Sequence, residues 1–247
     1  IDSMSLDETT PLAPQVWEPL SLLDCRILGV LVEKQKTSKT ADTYPLSLNA
    51  LTTGCNQKSN RDPVLDLSED EVEEGLAGLQ KKGLVVRLTS GRVDRFKHEL
   101  YDKWTRHGAQ MAVLAELLLR GPQTKGELRT RAARMDPIDS LEALDEVLRP
   151  LLERRLVLYL TDPDRRGAIV SHGFYSPDDI ARLKAQFAGA ALAEVASPRS
   201  ASPAAATDVE SRLKEAETEI EELKAVAARL ERQLADLHQQ LGLAPPN

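Results

Sequence analysis

The stretch YPLSLNALTTGCNQKSNRDPVLDLS, residues 44–68, decides the fold predicted for this chain. Pro45 suits the first turn of a helix, and the leucines that follow form an apolar stripe, so a helix is predicted over 45–55. A dense polar turn, NQKSNRD, comes next. Ser68 and Glu71 then have the spacing of a capping box that begins another helix. A short helix, a polar turn and a longer capped helix form the middle of a helix-turn-helix unit.

The residues on either side complete the unit. Apolar periodicity predicts a first helix over 22–35, and a third helix runs over 68–82, where Gly83 ends it. Two β-rich runs separated by a turn, at 84–98, predict a hairpin. Three helices followed by a hairpin indicate a winged-helix domain over residues 20–106.

The same order of elements returns in the second half, with little identity between the halves. The predicted helices and hairpin are at 110–120, 128–135, 140–155 and 156–175. They indicate a second winged-helix domain over 107–187, whose last part is a connecting helix that begins near Ser176. The predicted fold class is therefore mainly α with small β-hairpins (α+β).

The C-terminal part has a different character. Residues 188–207 are rich in Ala, Ser and Pro and predict a linker. Over 208–242, ahead of a short tail at 243–247, apolar residues recur with 3-4 spacing, which predicts a coiled coil and a parallel homodimer. The recurring residues are Leu213, Ile220, Ala227, Leu234 and Leu241 in one series, and Val209, Ala216, Leu223, Leu230 and Leu237 in the other. Packing of this helix on its own domain is the alternative.

Charge and composition limit the function classes. The net charge of −7 is divided into −4 over 1–20, +1 over 21–106, 0 over 107–188 and −4 over 189–247. The two globular units are thus neutral and lack the basic footprint that would require nucleic acid as a partner.

The N-terminal residues, the lack of a long apolar run and the two cysteines further limit the class of protein. Residues 1–19 are acidic and expected to be disordered, and the three residues before Met4 are expected to be foreign to the natural chain. No apolar run is long enough for a membrane span. Cys25 and Cys55 lie on apolar helix faces and are expected to be buried free thiols, which fits a reducing cytoplasm.

Three stretches carry a resemblance to a known family. They are EKQ at 33–35, YPLSLNALTTGCNQKSNRDPV at 44–64 and LLLRGPQTKGELRTRAARM at 117–135. These resemble the bacterial YceH-like family of tandem winged-helix proteins, whose molecular role is unassigned. The resemblance implies the fold, a cytoplasmic setting and a C-terminal coil, and it supplies no catalytic residues. Arg165–Tyr175 matches the family only loosely.

Catalytic and metal-binding patterns are not found in the sequence. The two cysteines and four isolated histidines lack metal-ligand spacing. GPQTKGE has neither the spacing nor the preceding strand of a phosphate-binding loop, and no nucleophile elbow is present. We therefore predict a protein that is not an enzyme and uses no cofactor or metal.

Nucleic-acid binding is the first hypothesis for a tandem winged helix, but the third helices argue against their insertion in DNA. Five carboxylates begin the first of them, at residues 69–74, and three lie on the second. They would repel phosphates. The cations that remain are Lys58, Arg61, Arg87, Arg92, Arg95, Lys97, Arg129, Arg131 and Arg134. Each group is interpreted either as a set of phosphate contacts or as side chains that are solvated or paired with nearby acids.

The polar turn has two interpretations as well. Asn56, Gln57, Ser59 and Asn60 either satisfy backbone groups of an irregular turn or form a recognition loop. The leading hypothesis is a dimeric DNA-associated or regulatory factor that contacts the phosphate backbone through the first wing and the turn at 56–61. The alternative is a scaffold whose winged helices dock partner proteins and do not bind DNA.

Overall fold

In the computed structural model, residues 17–38, 43–89 and 93–196 are described, with side chains described through residue 188. Over these ranges the chain is α+β, with eight helices and two three-stranded antiparallel sheets, which confirms the predicted class at that level. The elements are α1 (Leu22–Thr37), β1 (Leu46–Ser47), α2 (Leu48–Cys55), α3 (Glu69–Lys81), β2 (Val85–Leu88), β3 (Arg95–His98), α4 (Leu100–Lys103), α5 (Gly108–Arg120), β4 (Gln123–Thr124), α6 (Lys125–Ala132), α7 (Leu141–Glu153), β5 (Val157–Tyr159), β6 (Ile169–His172) and α8 (Pro177–Ala196).

The elements repeat in order. Each half has a helix, a two-residue strand, two helices and two longer strands, and the two sheets have the matching orders β1-β3-β2 and β4-β6-β5. We call these halves the first and the second repeat. In both, the short strand before the second helix pairs with the last strand, so the three strands of each repeat form one sheet.

The prediction of a helix beginning at Pro45 is wrong. Leu46 and Ser47 instead pair with Phe96 and Arg95 of β3, and the helix begins at Leu48. The Ser47 hydroxyl accepts a hydrogen bond from the N–H of Ala50, which is the geometry of an N-cap. Long-range strand pairing therefore overrides the local preference of proline for a helix start.

Most other helix boundaries follow the predicted signals. Both predicted capping boxes are present, at Ser68 with Glu71 and at Thr124 with Glu127. After α3, Gly83 has φ +67°, the left-handed conformation that glycine adopts without steric cost. At the other end of the second repeat, α8 continues to Ala196 and so passes the predicted start of the linker at 188.

The core lies where α1 and α5 cross. Both helices are buried on nearly all sides, as expected for helices that are apolar all round. Their axes approach closely at Gly29, where an added Cβ would lie 2.7 Å from Cγ of Leu119 and 3.3 Å from the carbonyl oxygen of Ala115. A glycine is therefore required at this crossing, and the two repeats share one hydrophobic core.

Part of the predicted organisation lies outside the described residues. This holds for the heptad positions over 208–242, for the linker beyond residue 196, for residues 1–16 and for Arg92. In the described part of the chain, no helix combines the length and apolar character that crossing a bilayer would need.

Candidate nucleic-acid interface and the adjoining charge network

The hairpin of the first repeat carries cations on its solvent face. Arg95 and Lys97 alternate along β3 with the buried residues Phe96 and His98, so they point away from the core. Arg95 is exposed and one of its nitrogens donates to the carbonyl oxygen of Pro45 at 2.8 Å, while the Lys97 ammonium lies 2.6 Å from a carboxylate oxygen of Glu99. These two residues form the outward basic face of the first hairpin.

Arg87 lies on the other face of the same hairpin. It is opposite Phe96 in the strand register, and its guanidinium carbon lies 5.8 Å from the centre of that ring. Ion pairs to Asp94 and, at 3.9 Å, to Glu73 of α3 hold the guanidinium near the third helix. Arg87 is half exposed but does not share a face with Arg95 and Lys97, so the predicted wing cations divide into two sets.

The polar turn begins with a structural asparagine. The amide of Asn56 donates to the carbonyl oxygen of Leu67 and accepts from its N–H, both at 2.8 Å. This pair closes the irregular segment between α2 and α3 in the manner of a strand pair. Lys58 and Ser59 between them are exposed, and no ion pair joins Lys58 to another described residue. Lys58 is therefore the cation of this turn that solvent reaches.

Arg61 is predicted from the sequence to touch phosphate, but its side chain is buried. It forms a bidentate ion pair with Glu33 of α1, at 2.5 and 3.2 Å, and donates to the carbonyl oxygens of Gly54 and Asn60. Gln57 accepts from it at 3.1 Å. With its donors committed inside the protein, Arg61 is not available to DNA in this structure.

The network extends from the first repeat into the second. Arg134 bridges two carboxylates: one nitrogen lies 2.5 Å from Glu33 and another 2.9 Å from Glu116 of α5. Arg120 lies 3.0 Å from the other oxygen of Glu116 and donates to the side chain of Asn60 at 2.9 Å. Arg134 is also among the predicted phosphate contacts, but in the structure its partly exposed guanidinium is paired with these two buried carboxylates.

Burial and charge act in opposite directions on the network. Burial by itself would raise the pKa of Glu33, but hydrogen bonds and charge from Arg61 and Arg134 outweigh it and leave that pKa below its ordinary value. For Arg134, burial lowers the pKa, and the two carboxylates raise it above the ordinary value. The charged forms of these side chains therefore stabilise one another across the two repeats.

The remaining predicted cations of the second repeat have local partners. Arg129 donates to the carbonyl oxygens of Ile138 and Asp139, and Arg131 pairs with Gln123 and Glu127. In the second hairpin, β5 and β6 carry no basic side chain besides His172, which is buried. The second repeat therefore has no counterpart of the outward basic face of the first.

The third helices carry exposed acidic groups, as the sequence indicates. The side chains concerned are exposed in both helices, at Glu69, Asp70, Glu71, Glu73, Glu74, Glu142, Asp145 and Glu146. Hydrogen bonds from Ser68 lower the pKa of Glu71, so that carboxylate is charged at neutral pH. A phosphate backbone would meet like charge on either helix.

The carboxylates of the network are not among the predicted partners, although the sequence contains a signal. Glu33 follows VLV and Glu116 lies within AVLAELLL, so each is a lone acid in an apolar run on a helix that is buried all round. A buried carboxylate requires a cation. Which arginine supplies it depends on long-range contacts, 28 and 101 residues away for Glu33.

Over the described ranges, no three His, Cys, Asp or Glu side chains are grouped as a metal site would require. Cys25 and Cys55 are buried free thiols, as predicted. Sγ of Cys25 lies 3.9 Å from Nε2 of His172. Burial raises the pKa of Cys25 to about 12 and lowers that of His172 to about 3, which is the opposite of what a thiolate–imidazolium pair needs.

Comparison with known proteins gives a family. The family model described as "Protein of unknown function, DUF480" matches residues 20–167. A UPF0502 protein of Geobacter sulfurreducens is 50% identical over 149 residues, which are 60% of this chain and 67% of that protein. A UPF0502 protein of Rhodopirellula baltica is 43% identical over 196 residues, 77% of this chain and 81% of the relative.

A third relative, a UPF0502 protein of Hahella chejuensis, is 40% identical over 214 residues, 83% of this chain and 94% of the relative. The matches confirm the predicted membership of a bacterial family of unassigned role, whereas the name YceH-like stays a prediction.

Proposed function

Because the chain belongs to the DUF480 family of proteins of unknown function, we propose its role from its own geometry. The protein is a non-enzymatic, cytoplasmic, dimeric tandem winged-helix factor that contacts the phosphate backbone of duplex DNA. The twice-repeated order of helix, strand, two helices and hairpin supports the two winged helices. The heptad segment over 208–242 supports the dimer.

The observation that carries the DNA contact is the outward basic face of the first hairpin. Arg95 and Lys97 point to solvent two residues apart, about 7 Å along the strand, so they present two cations on one face. Lys58 adds an exposed cation on the turn before α3. Arg61 and Arg134 are not part of the proposed contact, because the guanidinium groups of both are ion-paired with Glu33.

Insertion of a third helix into the major groove is not part of the proposal. The first turns of α3 carry five exposed carboxylates, which would lie against the phosphates. Backbone contacts from a hairpin position a protein on DNA without specifying a sequence. We therefore expect affinity for mixed-sequence duplex, with a strong dependence on salt.

The test compares the full chain with the variant Arg95→Ala, Lys97→Ala on a mixed-sequence duplex, over a salt series from about 50 to 200 mM. We expect the wild-type affinity to fall steeply with salt. The variant should bind more weakly at low salt, and the slope of log affinity against log salt should decrease by about 0.9 for each phosphate that the variant no longer neutralises.

The matched control is Arg106→Ala, Arg149→Ala. It removes the same charge from two exposed arginines, each paired with a carboxylate one turn away. This control should leave both affinity and slope unchanged. An equal loss in the control would show that net charge, and not the first hairpin, governs binding.

A protein-docking scaffold is the second candidate. The observation that favours it is the local pairing of most predicted cations, together with the exposed carboxylates of α3 and α7. Absence of DNA binding by the wild-type chain at the lowest salt would reject the first proposal and leave this one, which predicts a co-purifying protein partner.

A further inference from the structure

We infer that a cavity between the two repeats and α8 is a binding site for a small planar aromatic molecule that carries an oxygen acceptor. This inference is independent of the proposed DNA contact. The cavity has a volume of about 730 Å³, within the range of about 300–1,000 Å³ that is typical of small-molecule sites. Its walls come from the start of α1, the segment before α3, the end of α5, β6 and α8.

The walls are largely apolar. The side chains of Leu20, Leu22, Leu118, Pro122 and Leu183 all line the cavity. Leu22 is 51% exposed, so part of this apolar lining is open to water. A bound apolar ring would cover this surface and remove it from water, which is the main source of affinity in such sites.

One part of the lining is an aromatic stack. The rings of His172 and Tyr175 are 4.1 Å apart between centroids and 18° from parallel. Nδ1 of His172 accepts the N–H of Phe174, so the remaining proton of the neutral imidazole is on Nε2, and burial, which lowers the pKa of His172, keeps the ring uncharged. A planar ring can extend this stack, and the neutral imidazole and the Cys25 thiol beside it impose no charge on the ligand.

Arg120 supplies the polar anchor. Its guanidinium is held by Asn60 at Nη2 and by Glu116 beside Nε, where the 3.0 Å ion pair lacks hydrogen-bond geometry. Among the described residues, Nη1 has no hydrogen-bond partner. An arginine that lines a cavity, is fixed on two sides and keeps a free donor is suited to an oxygen acceptor of a ligand.

Other charges at the cavity determine the ligand class. Arg182 is paired with Asp179, and Asp62 adds an exposed carboxylate to the lining. The two arginines and two carboxylates balance, so the lining has no excess of either charge. A ligand with one acceptor group on an aromatic ring satisfies Arg120 and the stack together, whereas a polyanion would meet the two carboxylates.

The experiment uses two probes with one ring system. 8-Anilinonaphthalene-1-sulfonate has the acceptor, and N-phenyl-1-naphthylamine lacks it. Each probe is titrated into the full chain and excited in its own absorption band. We expect one sulfonate probe per chain, and binding of the neutral probe that is weaker by about tenfold or more, the worth of a charge-assisted hydrogen bond.

Two variants, Leu22→Trp and Leu183→Trp, fill the cavity from different walls. Each should lower the affinity for the sulfonate probe by about tenfold or more. The control Leu141→Trp adds the same bulk to an exposed leucine of α7 and should bind as wild type. Unchanged binding in both cavity variants, or an equal loss in the control, would overturn the site.

The anchor is tested by Arg120→Met against Arg182→Met, which removes the other arginine of the lining. Arg120→Met should abolish the preference for the sulfonate probe, and Arg182→Met should keep it. If wild-type protein binds both probes equally, the acceptor part of the inference is wrong. That comparison needs no variant, so it decides the point even where Arg120→Met does not fold.

Discussion

The two hairpins share a backbone and differ in what their outer faces carry. In each, a histidine ends the last strand, lies opposite a valine, and accepts at Nδ1 the N–H of the second residue after it, at 3.3 Å. The positions of Arg95 and Lys97 in the first hairpin correspond to Ile169 and Ser171 in the second. Two side-chain positions thus distinguish the basic, solvent-facing side of the first hairpin from the uncharged, largely buried side of the second.

The surroundings of the second hairpin explain this difference. The N–H of Leu20 donates to the carbonyl oxygen of Phe174, and the Trp17 ring packs edge-on against the Phe174 ring at 6.1 Å. Ser171 is fully buried, and its hydroxyl lies 3.3 Å from that of Tyr175. The second hairpin is therefore part of the core, while the first hairpin leaves one face exposed to solvent.

The largest expected effect on stability comes from exchanging the matched residues of the two hairpins, Lys97 and Ser171. We expect Ser171→Lys to lower the free energy of unfolding by on the order of 5 kcal/mol, because it places an unpaired ammonium and extra bulk in a filled site. The reverse change, Lys97→Ser, should have little effect, since its ion pair with Glu99 is partly exposed. Urea unfolding of both variants measures the difference.

The control for this pair is Arg149→Ser, a change of charge on an exposed position of α7, which should leave stability near that of the wild type. If Ser171→Lys lowered the free energy of unfolding no more than Lys97→Ser does, the second hairpin would have an exposed face like the first. The contrast between the two hairpins would then be wrong.

The second-largest expected effect concerns the ion network that joins the two repeats. Glu33→Gln should lower the free energy of unfolding by about 3 kcal/mol, because Arg61 then remains buried without the carboxylate that compensates its charge, while the partly exposed Arg134 keeps only Glu116. The loss is measured by urea unfolding at neutral pH. It would show that an ion network, and not only the crossing of α1 and α5, joins the two repeats.

Glu146→Gln is the matched control for Glu33→Gln. It makes the same chemical change in a pair whose side chains are 61% and 68% exposed, and no measurable loss is expected. Equal stabilities of the two variants would mean that the network contributes no more than a surface pair, and that apolar packing alone holds the repeats in place.

Local signals made most elements predictable, and long-range pairing accounts for what they missed. Both capping boxes and Gly83 appear where the sequence indicates them, because caps depend on residues within one turn. The strand at 46–47 was missed, because its partner in β3 lies about fifty residues further on. Tertiary pairing is not encoded in a local pattern.

The candidate site shows the same limit. The exposed cations of the first hairpin follow from strand alternation, which sequence alone supplies. The burial of Arg61 does not, because Glu33 is 28 residues away and Arg134 joins from the other repeat. The three stretches that carry the family resemblance contain Glu33, Arg61 and Arg134, so they meet in this network.

The smallest predicted effect tests whether the matched histidines are equivalent. Burial lowers the pKa of His98 to about 4 and that of His172 to about 3. Below pH 6.5 the unfolded chain gains protons at these positions while the folded chain does not, so stability falls as pH decreases. Each histidine should contribute a loss of about 1.5 kcal/mol between pH 6.5 and 5.

The measurement is the slope of unfolding free energy against pH, not its value at one pH, because a substitution also removes a hydrogen bond. His98→Gln and His172→Gln should each remove a similar part of the slope, with His107→Gln, at an exposed position, as the matched control. A slope that changes for only one of the two buried histidines would show that one hairpin opens to water before the other. The surface contrast between the repeats would then extend to their interiors.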